Sequence, residues 1–223
     1  MEIGRRRMPD QATRRAHIWG DRERSVVDRH VETFLSVQDP SDHTTGGGSA
    51  SAIAGAMAGA LAAMVAELSI DKEGMEPAAF YEGASARARA LSAELMRGAT
   101  EDRQAYAAVR DAYRMPRKTE EQKALRQPAV RAAWILAAQV PMANAERCAQ
   151  VLDLAAELEG RSNPAAASDL SCAVHLARAG LHGCLDNVEI NLGSIDDRAT
   201  VEELSQRVRA LRARGATGPL REG

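Results

Sequence analysis

The chain has 223 residues, with 29 lysines and arginines against 31 aspartates and glutamates and a formal net charge of −2. That length suits one domain with a substantial core, and the balanced charge argues against nucleic acid as a partner. Aromatic residues make up only 3%, alanine is abundant and β-branched residues are sparse, a composition that favours helix and carries no hairpin signal.

Arg5, Arg6, Arg7, Arg14 and Arg15 crowd the start of the chain. Residues 1–22 are expected to form a disordered basic extension ahead of a single all-helical domain over 23–215. This charged start lacks the apolar run of a secretory signal. Cys148, Cys172 and Cys184 are odd in number and have no metal-type spacing, which suits reduced thiols in the cytoplasm.

Residues 25–36 read as a first helix, with Val27, Val31, Phe34 and Leu35 on one side. A polar loop over 38–48 follows and ends in Thr45-Gly46-Gly47-Gly48-Ser49-Ala50-Ser51. Three glycines before a helix start leave bare N–H groups that an anionic or electron-rich ligand can approach. No lysine follows, so the phosphate-binding P-loop is excluded. The run also reads as a plain linker with Ser49 or Ser51 as the N-cap.

The second helix shows Ile53, Ala56, Met57, Ala60, Leu61, Met64, Val65 and Leu68 at core spacing. Beside them lies a stripe of small residues, Ser51, Gly55, Gly59 and Ala63, suited to close packing of another helix. The run from Ala50 to Ile70 is apolar, but it is mostly alanine and glycine and includes Glu67, so a buried soluble helix is expected rather than a membrane span. A third helix covers 77–114, with a possible irregularity at 98–100, and Pro116 ends it. Thr119 caps a fourth segment, with Glu120 and Glu121 in its first turn. Pro128 and Pro141 predict a kinked helix or two helices up to residue 160. Asn163-Pro164 opens the last long helix, which runs through Asn191, and an amphipathic helix over 200–214 closes the chain. The expected fold is an all-α, up-and-down bundle of long helices that forms a dimer.

Asp169 and Asn187 stand 18 residues apart, five helical turns, and so share a face with Asn191. Eighteen residues span about 27 Å, so one straight helix cannot bring both to a single atom. Either they hold different ends of a long ligand, or two subunits of a symmetric dimer bring them together. The plain alternative is that the asparagines bond to neighbouring helices. Asp102 and Tyr106 are one turn apart, and Tyr106 either stacks on a ligand ring or fills the core. Lys72 and Arg117 are ordinary surface cations unless they meet an anionic ligand. Cys172, His175, His182 and Asp186 share a face but spread over about 21 Å, so no metal site is expected.

Four segments, in order, carry a family resemblance. They are Gly46-Gly47-Gly48-Ser49-Ala50; Asp102 to Tyr106 with Met115-Pro116-Arg117; Val140-Pro141-Met142; and Asn163-Pro164 to Ser168-Asp169, followed by Asn187-Val188, Ile190, Asn191 and Leu192. From about Val31 to Ile195 the chain resembles the formiminotetrahydrofolate cyclodeaminase and methenyltetrahydrofolate cyclohydrolase family. The chain departs from the family pattern at Thr45, Asp71, Ala143 and Ala165. The resemblance implies a homodimeric enzyme of folate one-carbon metabolism with no metal and no permanently bound cofactor. Its substrate is a tetrahydrofolate derivative. The expected reaction is hydrolysis of 5,10-methenyltetrahydrofolate to 10-formyltetrahydrofolate. Ammonia release from formiminotetrahydrofolate is the alternative, and a helical dimer without turnover is the third reading. Asp169 is the expected catalytic carboxylate, stabilising the cation and moving a proton. Gly46, Gly47, Gly48, Ser49, Tyr106, Asn163, Ser168, Asn187 and Asn191 are the expected substrate contacts.

Overall fold

The computed structural model describes residues 45–216. The expected basic extension and the helix over 25–36 lie outside them. Five α-helices follow one another: α1 Gly47–Glu67, α2 Ala78–Arg114, α3 Glu120–Leu158, α4 Ala167–Leu192 and α5 Arg198–Ala216. A 3₁₀ turn, Pro164–Ala166, leads into α4. There is no strand among the described residues. Helix α1 packs on α2 and α4, α3 packs on the same two, and α5 lies against α4 and α3. Short connections make successive neighbours antiparallel, the expected up-and-down arrangement.

Helix α1 buries mainly its small stripe, and of the expected core residues only Ala56 and Val65 are buried. Gly48, Ala52, Gly55, Ala58, Gly59, Ala62, Ala63 and Ala66 face the core. Met57, Met64 and Leu68 are 53%, 37% and 46% exposed. The reason is backbone proximity. A Cβ on Gly180 of α4 would lie 2.7 Å from the Ser51 carbonyl and 3.0 Å from Gly55 N, and one on Gly59 would lie 3.1 Å from the Ala88 carbonyl. Few large side chains fit between helices that close, so the small stripe becomes the core face and Met57, Met64 and Leu68 turn outward. Helix α1 is long and apolar enough to cross a membrane, yet more than half of it is buried within the bundle.

Proline does not break α3, which runs unbroken through Pro128 and Pro141. Each proline removes one backbone hydrogen bond, but Pro141 is fully buried with Ala138, Met142 and Ala145 around it, so packing holds the helix across the defect. At the N-terminus of α3, Thr119 accepts from Gln122 N, and Gln122 Oε1 accepts in return from Thr119 N, completing the expected cap as a capping box. Helix α2 is likewise unbroken at 98–100. Gly98 is there because any Cβ would overlap Asn144 Oδ1 on α3.

The central core joins Leu95, Met142, Leu181, Leu185, Val188 and Leu204. A second cluster around Tyr81, Leu154 and Leu158 fills one end. A third, with Val109, Ala112 and Ala133, zips together the far arms of α2 and α3.

Gly180→Ala should cost about 1–3 kcal/mol, because the new methyl meets main chain that no rotamer change can move. Gly83→Ala is the control: nothing lies within 4 Å of its Cβ position, so the helix should hold or gain up to about 1 kcal/mol. Thermal melts of the two variants give the comparison. Equal melting temperatures would refute the close α1–α4 contact.

Candidate functional site

Helix α1 starts at Gly47 with Gly46 as its N-cap, and no side chain caps it. Neither Ser49 nor Ser51 is therefore a cap. Ser51 Oγ donates to the Gly47 carbonyl at 2.6 Å. Ser49 is fully buried, and its hydroxyl lies 2.9 Å from Asp102 Oδ2 and 3.1 Å from the Ala99 carbonyl. The Ser49 N–H also reaches Asp102. The carboxylate thus occupies the start of α1, where orphan N–H groups and the positive end of the helix dipole favour an anion. Burial nevertheless dominates and pushes the Asp102 carboxyl above its ordinary value, while the two contacts with Ser49 pull it back.

Gly48 brings the third helix in. A Cβ there would stand 2.5 and 2.7 Å from the two Asp102 oxygens and 2.7 Å from Asn187 Nδ2. A carboxylate from α2 and a carboxamide from α4 therefore meet over one bare Cα of α1. The amide is held in orientation from behind. Asn191 Nδ2 donates to Asn187 Oδ1 at 3.2 Å and to the Ala137 carbonyl of α3 at 2.7 Å. With its oxygen committed, Asn187 turns its NH₂ toward Gly48 and Asp102. All four long helices contribute to this corner.

Buried thiols lie beneath it. The Cys148 thiol, burial and the nearby Asp102 charge together push Cys184 well above the usual thiol range, so it stays protonated. Tyr106 lies one turn beyond Asp102 and is 43% exposed. Gly46 and Gly47 are exposed, and nothing lies within 4 Å of their Cβ positions.

The expected site residues thus fall into two groups. Gly46, Gly47, Gly48, Ser49, Asn187 and Asn191 gather around Asp102, with Tyr106 beside them. Asn163, Ser168 and Asp169 stand at the other end of α4, about 27 Å away. Asn163 acts there as a joint. It donates through Nδ2 to the Leu68 carbonyl at 3.1 Å and through its N–H to Ser69 Oγ at 2.8 Å, and its Oδ1 accepts from Ala165 N at 3.0 Å. It also borders a cavity of about 430 Å³ with Met75, Leu170 and Val174. Ser168 is exposed, and Asp169 is half-buried in the first turn of α4. Lys72 and Arg117 are exposed. No group of three metal-type side chains occurs among the described residues.

Sequence reasoning paired Asp102 only with Tyr106 and gave it no role. A signal was present: Asp102 falls in helical register with Leu95, Gly98, Ala99, Ala105 and Val109, all buried or small. A carboxylate on the core stripe of a helix needs a partner or a purpose.

A model of the formiminotransferase-cyclodeaminase family matches residues 30–210. A methenyltetrahydrofolate cyclohydrolase from Methylorubrum extorquens is 37% identical over 184 residues, covering 82% of this chain and 88% of its own length. A formimidoyltransferase-cyclodeaminase from Sus scrofa is 30% identical over 194 residues, which span 85% of this chain but 35% of that protein. Among solved structures, formiminotetrahydrofolate cyclodeaminase from Thermotoga maritima matches with a TM-score of 0.71 at 25% identity, covering 90% of this chain and 91% of that one.

Proposed function

Since the chain belongs to the formiminotransferase-cyclodeaminase family, we propose that it hydrolyses 5,10-methenyltetrahydrofolate to 10-formyltetrahydrofolate, with Asp102 as the carboxylate at the reacting carbon. The observation that carries this reading is the meeting of Asp102 and Asn187 over Gly48. The substrate carries a positive amidinium-like carbon between N5 and N10. A partly desolvated carboxylate stabilises that cation more than a solvated one does. Water adds to the carbon and loses a proton to Asp102, leaving a neutral tetrahedral centre. The C–N5 bond then breaks, N5 takes up a proton, and the hydroxyl proton leaves as the formyl C=O forms on N10. A carboxylate with a raised pKa suits both taking and returning the proton. Asn187 Nδ2 is placed to donate to the oxygen that develops there. The bare N–H edge at Gly46 and Gly47 and the exposed ring of Tyr106 are available to the pterin. The role sought at Asp169 falls to Asp102. The Asn163–Asp169 group enters the same site only through a second copy of the chain.

Ammonia release from formiminotetrahydrofolate is the second reading, favoured by the Thermotoga maritima match. Both reactions use the same carbon and pass through a tetrahedral centre on it, and both need a group that moves protons there. Purified protein should be offered methenyl- and formiminotetrahydrofolate in parallel, with methenyl absorbance and ammonia followed separately. Loss of methenyl absorbance with formation of 10-formyltetrahydrofolate is the expected result. Ammonia release alone supports the second reading, and no turnover of either means a scaffold without catalysis.

The protein works in the cytoplasm as a homodimer, with no nucleic acid, membrane or permanently bound cofactor as partner. The outward row on α1, with Ile53, Met57, Leu61, Met64 and Leu68, supports the dimer. It is apolar and follows the i, i+3, i+4 spacing of a packed face. Met57→Glu should leave the helical circular dichroism intact and shift light scattering from dimer to monomer at micromolar concentration. An unchanged dimer would place the interface elsewhere.

A further inference from the structure

Ser49 has one proton to give and two partners to give it to. Its side chain is fully buried, and its oxygen stands 2.9 Å from Asp102 Oδ2 and 3.1 Å from the Ala99 carbonyl. Both partners are acceptors while Asp102 is ionised, and a serine hydroxyl carries a single donor. Charge settles the choice. A hydrogen bond to a carboxylate is stronger than one to a neutral carbonyl, so the proton lies on the Asp102 side. The Ala99 carbonyl loses little by this, because it sits inside α2 and takes the regular helical N–H four residues on.

The choice reverses when Asp102 takes up a proton, because a carboxyl group then needs an acceptor. The Ser49 N–H and the Asn187 NH₂, which is turned toward the carboxylate, can only donate. Ser49 Oγ can accept, and its own proton then turns to Ala99. Carboxyl, hydroxyl and carbonyl form a chain in which each donor has an acceptor, and only one O–H has rotated. The titratable and charged groups around Asp102 are few. Helix α1 carries no charged residue before Glu67. Helix α4 presents Asn187 and, beneath it, Cys184, which keeps its proton, with Cys148 of α3 beside that thiol. The charged side chains of α3 at this depth, Glu146 and Arg147, are paired with Arg207 and Glu94. On α2 itself, Glu101 and Arg103 leave the helix about 100° to either side of Asp102.

We propose that Ser49 is a positioning residue for Asp102, with a hydroxyl that donates to the carboxylate and, once the carboxyl is protonated, accepts from it and donates to the Ala99 carbonyl. The proposal rests on the reading of Asp102 as the group that takes and returns the proton, and adds what keeps both of its forms bonded. An unpaired donor or acceptor in this buried corner would oppose one half of the proton cycle. Two settings of one O–H let the proton come and go with no heavy atom displaced, so Asp102 keeps its place at the reacting carbon throughout.

The test follows two carbons by NMR in the full chain without substrate, the Asp102 carboxyl and the Ala99 carbonyl. In the wild type both signals should move with pH at one midpoint, because Ala99 gains a hydrogen bond as Asp102 gains a proton. In Ser49→Ala the hydroxyl that favours the ionised form is gone, so Asp102 should titrate at higher pH and the Ala99 signal should no longer follow. Ser49→Thr keeps the hydroxyl and should bring both signals back toward the wild type. Ser51→Ala should change neither, since that hydroxyl is turned to the Gly47 carbonyl. In turnover, Ser49→Ala should carry the acid limb of kcat/KM to higher pH, with a loss of about tenfold on that limb and much less at the alkaline plateau. A structural defect would lower limb and plateau alike. An Ala99 carbonyl that stays still while wild-type Asp102 titrates, an Asp102 midpoint unmoved in Ser49→Ala, or a uniform loss across pH would each overturn the proposal. The two carbon signals need no turnover, so they decide the role of Ser49 even if neither folate reacts.

Discussion

Asp102→Asn is expected to lower kcat for methenyltetrahydrofolate hydrolysis by at least about 100-fold while the circular dichroism stays that of the wild type. Asparagine keeps the size of the side chain and one acceptor for Ser49, but it carries no charge and takes no proton. The stability effect should run the other way. Burial raises the Asp102 carboxyl above its ordinary 3.8, so the folded state binds this proton more tightly than the unfolded chain. Asp102 therefore opposes folding increasingly as pH rises from the ordinary carboxylate range through its raised value, and continues to oppose it above. At neutral pH the asparagine variant should melt at the wild-type temperature or higher, and that advantage should vanish in acid. In the wild type, kcat/KM should fall as pH drops through the raised value, because the carboxylate is lost. A variant that keeps near-normal turnover would remove Asp102 from the chemistry. Asp169→Asn, assayed beside it, reports on the other end of α4. A large loss there with intact folding would mean that a second copy carries that residue into the site.

Gly48→Ala should abolish most activity, again by about 100-fold, although the change favours helix by about 1 kcal/mol in an ordinary position. The methyl would lie 2.5 Å from Asp102 Oδ1 and 2.7 Å from Asn187 Nδ2, so the carboxylate and the amide must part. Asp102 is also tied to the Ser49 hydroxyl at 2.9 Å, and Asn187 to Asn191, so neither moves alone. Gly47→Val is the contrast. Nothing of the protein lies within 4 Å of its Cβ position, so folding should tolerate valine there, and any loss of folate affinity would report the ligand itself. Titration calorimetry with a folate and activity assays on both variants decide the matter. If Gly48→Ala matches wild type in kcat, the three-helix corner is not the reacting centre.

Much of this was legible in the chain wherever the chemistry is local. Thr119 announced its own cap because a capping box is local chemistry, complete within four residues. The long helices were readable from alanine content and periodicity, and the end of α2 from Pro116, since proline lacks the N–H that a helix needs. The order of the segments around Gly46–Gly48, Asp102–Tyr106, Asn163–Asp169 and Asn187–Asn191 identified the family before any geometry. Even the separation of Asp169 from Asn187 followed from sequence, because 18 residues of straight helix have a fixed length.

Which face of α1 turns inward was a different kind of question. Its large and small stripes both have helical period, and hydrophobicity chooses the large one. Only the approach of Ser51 to Gly180 and of Gly59 to Ala88 decided for the small one, because backbone contact between helices is a property of pairs. Proline at 128 and 141 predicts a kink or a break from local bonding alone, whereas α3 runs on through both, with Pro141 held in the packed core. The role of Asp102 was hidden for the same reason. Its neighbours one turn away on its own helix are Gly98, Ala99, Ala105 and Tyr106, but its partners are Ser49 on α1, 53 residues away, and Asn187 on α4 across Gly48. Sequence determined the helices and the family, because these rest on interactions within a turn or two of chain. The corner where a carboxylate, a hydroxyl and an amide meet was decided by tertiary structure alone, since only the packing of four helices sets the heights at which their side chains meet.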